Sequence, residues 1–164
     1  MGPGSILTSR NVNGWTPDYG AGFAIQTPVL LGLTSLEAEL GVGAFAIPWT
    51  SESPARPDFL AIHMFIQGAI SSPARNPVKL SAGFSAGNYF MSFSSNQVAG
   101  ERNESELAVA VFTQIRRTFY RQLEGYAELR VTRVYTRPKL DFVEAKTGLS
   151  ITLNAPRWLR TIAQ

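Results

Sequence analysis

The sequence predicts an all-β, antiparallel fold of about eight strands, and three observations carry that prediction. Apolar and polar residues alternate with a period of two in one segment after another. Proline, glycine, serine and asparagine gather between these segments. The segments are short and evenly spaced along 164 residues, as in a sandwich or closed barrel. Two forms fit. The first expectation is an antiparallel β-sandwich; the alternative is an eight-stranded up-and-down β-barrel. Residues 1–18 read as an N-terminal arm, 19–153 as a single β domain, and 154–164 as a C-terminal tail.

The arm is rich in turn formers, among them Gly2, Pro3, Gly4, Asn11, Asn13, Gly14 and Pro17. A first strand is expected over Tyr19 to Ile25, broken by Pro28 and Gly32. Leu36 to Ile47 alternates clearly, with Leu36, Ala38, Leu40, Val42 and Ala44 opposite Glu37, Glu39, Gly41, Gly43 and Phe45. Gly41 and Gly43 predict a bend or a close approach by another chain segment. Pro48 is expected to end that strand.

The strongest pattern is the hairpin from Ala46 to Phe93. Leu60, Ile62, Met64 and Ile66 share one face of its first strand, and Ala61, His63, Phe65 and Gln67 share the other. In its second strand Val78, Leu80, Ala82 and Phe84 alternate with Lys79, Ser81, Gly83 and Ser85. Pro73 and Pro77 confine the connection to a loop, since proline cannot donate to a ladder. Asn96 to Ser105 reads as a loop and Leu107 to Ile115 as a strand. Arg116 to Glu124 fits a short helix, because Ile115, Phe119 and Leu123 recur at spacings of four. Tyr126 to Thr136 and Val143 to Leu153 complete the set.

Hydrophobic residues make up 45% of the chain and charged residues only 16%, against about a quarter in ordinary soluble domains. Large areas are therefore expected to face protein neighbours or lipid. The absence of cysteine excludes disulfide frameworks, thiolate metal sites and cysteine nucleophiles. No run approaches the ~18 apolar residues of a transmembrane helix, and the opening MGPGSILTSR has no apolar signal core. The net charge of +3 hides an asymmetry: 5 basic and 8 acidic residues over 1–114, then 10 basic and 4 acidic over 115–164. Arg116, Arg117, Arg121, Arg157 and Arg160 in the basic part are candidates for contact with RNA or a neighbouring subunit.

Catalytic chemistry has little to stand on. His63 is the single histidine and lies in mid-strand, and no helix follows Gly83-Phe84-Ser85-Ala86-Gly87 to make the nucleophile elbow that a serine hydrolase needs. One histidine and few carboxylates make a metal site unexpected. Glu37 and Glu39 share a strand face, an arrangement more common opposite arginines such as Arg130 than in acid–base pairs. Gly83 to Gly87 lacks the Gly-Lys-Ser/Thr of a phosphate loop. No enzyme activity, cofactor or small-molecule substrate is expected.

The central stretch resembles picornavirus-like capsid proteins of secovirus and comovirus type. The resemblance rests on Ile47-Pro48-Trp49-Thr50, the strand Phe59 to Ile70, the turn Ser71 to Pro77, and Val78 to Phe84 running into Ser85-Ala86-Gly87-Asn88-Tyr89-Phe90. Arg121 to Val131 is similar to a segment entering another strand of such domains, and Ile162-Ala163-Gln164 looks like the product of a picornain-like protease. It implies a jelly-roll β-sandwich, a coat protein that assembles with other capsid subunits into an icosahedral virion shell around RNA, and no catalytic residue. The alternative function is that of a small bacterial outer-membrane β-barrel protein, whose lipid-facing and lumen-facing residues alternate in the same way. Ten prolines count against a barrel, as do Arg117 and Arg133, which share a face with Val109 and Val131.

Overall fold

Alternation of small or polar with large apolar residues drives most of the described residues into extended strands. The structure, a computed structural model, describes residues 2–9, 14–29, 36–54, 56–73, 77–95, 103–120, 122–136 and 139–151. Among the described residues nine strands form: β1 (Gly2–Ser9), β2 (Trp15–Pro17), β3 (Gly20–Val29), β4 (Glu37–Ser51), β5 (Phe59–Ser71), β6 (Val78–Phe93), β7 (Asn103–Tyr120), β8 (Leu123–Val134) and β9 (Leu140–Ile151). The all-β antiparallel prediction holds.

From β3 to β9 each strand pairs with the next, antiparallel throughout. β1 then pairs with both β9 and β3, which closes the ring. Eight strands thus make the wall, and β2 adds a short edge to β4. This connectivity is the up-and-down form. The pairings among the described residues contain none of the long crossovers that define a jelly roll. The seams differ in length. β6 and β7 share 15 paired positions, whereas β1 contributes 5 to β9 and 3 to β3.

Several boundaries depart from the sequence reading. Residues 2–9 and 15–17, assigned there to an irregular arm, are strands β1 and β2. Pro28 does not end β3: it lies beyond the last β1 pair, Gly2 with Gly22, so no described ladder on that side needs its missing N–H. Pro48 likewise lies within β4, and its carbonyl accepts the Asp18 N–H at 2.9 Å. The short helix expected over 116–124 is instead the end of β7 and the start of β8. The fourfold spacing of Ile115, Phe119 and Leu123 is compatible with a hairpin, because positions four apart also share a strand face.

Glycine permits the tight curvature. A Cβ on Gly87 of β6 would strike the Met64 carbonyl and the Phe65 backbone of β5. One on Gly43 of β4 would meet the Phe65 ring and the Phe23 carbonyl, the close approach anticipated there.

The interior has two halves. Near the β4–β5 connection, Phe45, Ile47, Trp49, Phe59, Phe65, Tyr89, Met91, Val134 and Phe142 pack into an apolar cluster. Trp49 stacks on Phe59 with ring centroids 5.5 Å apart, and Phe142 meets both Trp49 and Tyr89 edge-on. We call this the aromatic end. The other half of the interior is charged.

Candidate functional site

Two features set this wall apart, its outer face and the charged half of its interior. Along β5 the described side chains alternate without interruption. Ala61, His63, Phe65, Gln67 and Ala69 are buried, while Leu60, Met64, Ile66 and Ile70 are exposed. The larger aliphatic residues thus point outward. Neighbouring strands repeat the pattern in register: Val42, Ile66 and Ala86 lie side by side, as do Phe84, Val111, Val131 and Val143. Among the described residues twenty-three large apolar or aromatic side chains are exposed, Ile25, Ile66 and Phe84 by about two thirds each. That far exceeds the scattered apolar groups of an ordinary soluble surface.

Charge is nearly missing from this face. Among the described outward positions of β3 to β9, the charged residues are Arg117, Arg133 and Asp141. All three lie close to strand ends. Arg133 meets Asp141 bidentately, with Nε to Oδ1 at 2.6 Å and NH2 to Oδ2 at 2.8 Å. Asn88, Thr113 and Thr147 interrupt the apolar surface with uncharged groups.

The missing charge is inside. Lys79 on β6 bonds Glu37 at 2.6 Å and Glu39 at 2.7 Å, both on β4. Arg116 on β7 pairs with the same Glu39 and bonds Ser81 at 3.1 Å and Gln26 at 3.4 Å. One layer further in, Arg130 donates to Glu128 at 2.9 Å, Gln67 at 2.9 Å and Ser85 at 3.1 Å. Its guanidinium lies 4.5 Å from the Phe65 ring centroid and 4.9 Å from that of Phe112. Lys146 pairs with Glu144 and lies 4.3 Å from the Phe45 centroid; Thr132 donates to Glu144 at 3.1 Å. These aromatic rings are where the charged layer meets the apolar cluster.

Four cations and four carboxylates thus meet in this half of the interior, each tied to an opposite charge. Burying such groups is costly unless they are paired and further hydrogen-bonded; all are paired, and Arg116 and Arg130 also donate to Gln26, Ser81, Gln67 and Ser85, although the Arg116 Nε finds no acceptor. A cavity of about 160 Å³ lies among Gln67, Gln114, Arg116, Glu128, Arg130 and Lys146 and reaches the wall at Phe23 and Leu149. Among the described residues no three His, Asp or Glu side chains converge as a metal site would require.

The residues singled out from sequence fall differently. Arg116 points inward and is nearly buried, so its guanidinium does not face an outside partner; Arg117, next along β7, points outward. Arg121, Arg157 and Arg160 lie outside the described residues. His63 is buried beside Phe65 and Tyr89, with ring centroids 4.9 and 5.2 Å away. Glu37 and Glu39 do face basic groups, but Lys79 and Arg116 rather than Arg130. The sequence reading missed Glu128, Glu144 and Lys146 as one network. Their signal was a polar residue at every second position of β8 and β9, and period two does not say which face is inside.

No protein-family model matches this sequence, and no curated protein is significantly similar to it.

Proposed function

We propose that this chain is a small membrane-spanning β-barrel of the bacterial outer-membrane type, with a closed interior and no catalysis. One observation carries the reading: the outer face is apolar around the described wall, while the paired charges are turned inward. In water this arrangement would expose the surface that most favours burial and bury the groups that most favour solvent. In a bilayer both choices are favourable, and ring closure pairs each strand of the wall on both sides over at least part of its length.

Dimensions support it. The outward run from Leu60 to Ile70 on β5 spans eleven residues, which at ordinary strand rise and tilt is roughly 25 Å, the height of an outer-membrane apolar band. Exposed Tyr19 and Tyr135 flank the band near the aromatic end, and Phe119 and Tyr120 flank it at the other, as interfacial aromatics do. Arg117 and Arg133, a difficulty when judged from sequence, lie near strand ends where long side chains reach headgroups. The aromatic cluster fills one half of the lumen and the ion pairs occupy the other. We therefore read the barrel as an anchor or scaffold instead of an open pore.

The capsid reading draws on jelly-roll topology and on contacts with RNA or other subunits. Nothing in the pairing or in the comparisons favours it, and the consecutive pairing of strands favours the barrel. Flotation with phospholipid vesicles is the test. We expect the protein to need detergent for monodispersity, to float with vesicles, and to change gel mobility on boiling. Monodisperse protein without detergent that stays at the bottom of the gradient would overturn the reading; closed particles by electron microscopy would restore the capsid.

A further inference from the structure

On the outer face of β6 to β9 the side chains form two adjacent rows. One runs Ala86, Val109, Arg133, Asp141, and the other Phe84, Val111, Val131, Val143. Between the bulk of Phe84 and the end of the β8–β9 hairpin they leave a groove of about 780 Å³, lined also by Tyr135. The groove is apolar along its length and charged at one end. Lys139, on the same hairpin, holds its ammonium 5.8 Å from the Tyr135 ring centroid. Arg133 and Lys139 bring two cationic groups to that end beside the carboxylate of Asp141.

We propose that this groove is a phospholipid site, with the lipid phosphate at Arg133 and Lys139 and an acyl chain along Phe84, Val111 and Val131. The inference rests on the membrane-barrel reading. Charge complementarity selects the occupant. Asp141 takes Nε and one terminal nitrogen of Arg133, and a guanidinium has further N–H donors that suit a phosphate oxygen. The Arg133–Asp141 pair also holds the guanidinium in one orientation, so little side-chain freedom is lost on binding. Its aliphatic stem lies in the row beside Val109, with the head toward the strand end, as expected at a headgroup boundary.

Native mass spectrometry of the barrel in an uncharged maltoside detergent tests this, with dioleoyl phosphatidylglycerol, dioleoylglycerol and inorganic phosphate as probes. We expect a phosphatidylglycerol adduct at least fivefold more abundant than the dioleoylglycerol adduct, although the chains are identical. The double variant Arg133→Gln with Lys139→Gln should lower it at least fivefold, and Asp141→Asn should leave it equal or raise it. Equal adducts for the two lipids, or an unchanged adduct in the double variant, would overturn the site. Full displacement by inorganic phosphate would also overturn it, since the acyl groove would then contribute nothing. If the double variant loses its heat-modifiable mobility, the comparison of the two lipids on the unaltered protein decides. Failure to float with vesicles would remove the membrane reading itself, whereas flotation without lipid selectivity removes this site alone.

Discussion

Arg116 on β7 and Glu39 on β4 form an ion pair inside the barrel, 77 positions apart in sequence, although their strands are not neighbours in the wall. β5 and β6 lie between them. The pair therefore crosses the lumen and links opposite parts of the ring. Arg116→Ala would strand a buried carboxylate that Lys79 only partly compensates, which should cost about 3 kcal/mol. Replacing both partners, as Arg116→Met with Glu39→Leu, should recover most of that loss. Urea unfolding in detergent, followed by tryptophan fluorescence, measures both.

Ile66 and Gln67 are adjacent on β5 and face opposite sides of the wall. In a bilayer Ile66→Arg should destabilise the barrel by about 2–4 kcal/mol, the cost of a cation at mid-membrane. In a water-soluble protein the same change on an exposed side chain would fall within about 0.5 kcal/mol. Folding yield into vesicles, read from heat-modifiable mobility, separates the two cases.

Phe142 contacts Trp49 and Tyr89 in the cluster that fills the aromatic end. Planar-bilayer recordings of the unaltered protein should show no steady open current. Phe142→Ala should cost about 3–5 kcal/mol through the cavity it leaves. A large, stable conductance in the unaltered protein would contradict the closed interior.

Gly87 and Gly68 offer a contrast between two glycines of the same hairpin. A Cβ on Gly87 would collide with the β5 backbone, whereas one on Gly68 would meet the Phe84 ring at 3.6 Å and Leu40 Cδ2 at 3.7 Å, both ordinary contacts. Gly87→Val should abolish folding into detergent, and Gly68→Ala should be tolerated. Circular dichroism with gel mobility reports both.

The three paired positions between β1 and β3 make the shortest seam in the ring. Amides in residues 23–27 should exchange with deuterium faster than those of β5, which is laddered on both sides along its length. Mass spectrometry after pulse labelling gives the comparison.

Much of the wall was legible in the sequence. The β5–β6 hairpin was readable to within a residue or two, because long runs of period two leave little choice of element. Pro28 and Pro48 misled, since a proline ends a strand only where its N–H was needed. The 116–124 helix misled because a spacing of four serves a helix and a strand alike. The ion network was half visible. Glu37 and Glu39 stood out on one face, yet their partners lie on β6 and β7, and only ring closure brings those strands across from β4.

By itself the sequence determined that the chain is all-β, which residues share each strand face, and that charge is scarce. What only the tertiary structure decided is which face is inside. Alternation splits each strand into an apolar and a mixed face but does not assign either to a core. Closing the ring turns inward the faces that carry Gly, Ser, Gln, the paired ions and the aromatic cluster. The ions then meet their partners across the lumen, and most large aliphatic side chains, Leu60, Ile66 and Val111 among them, are left on the outside.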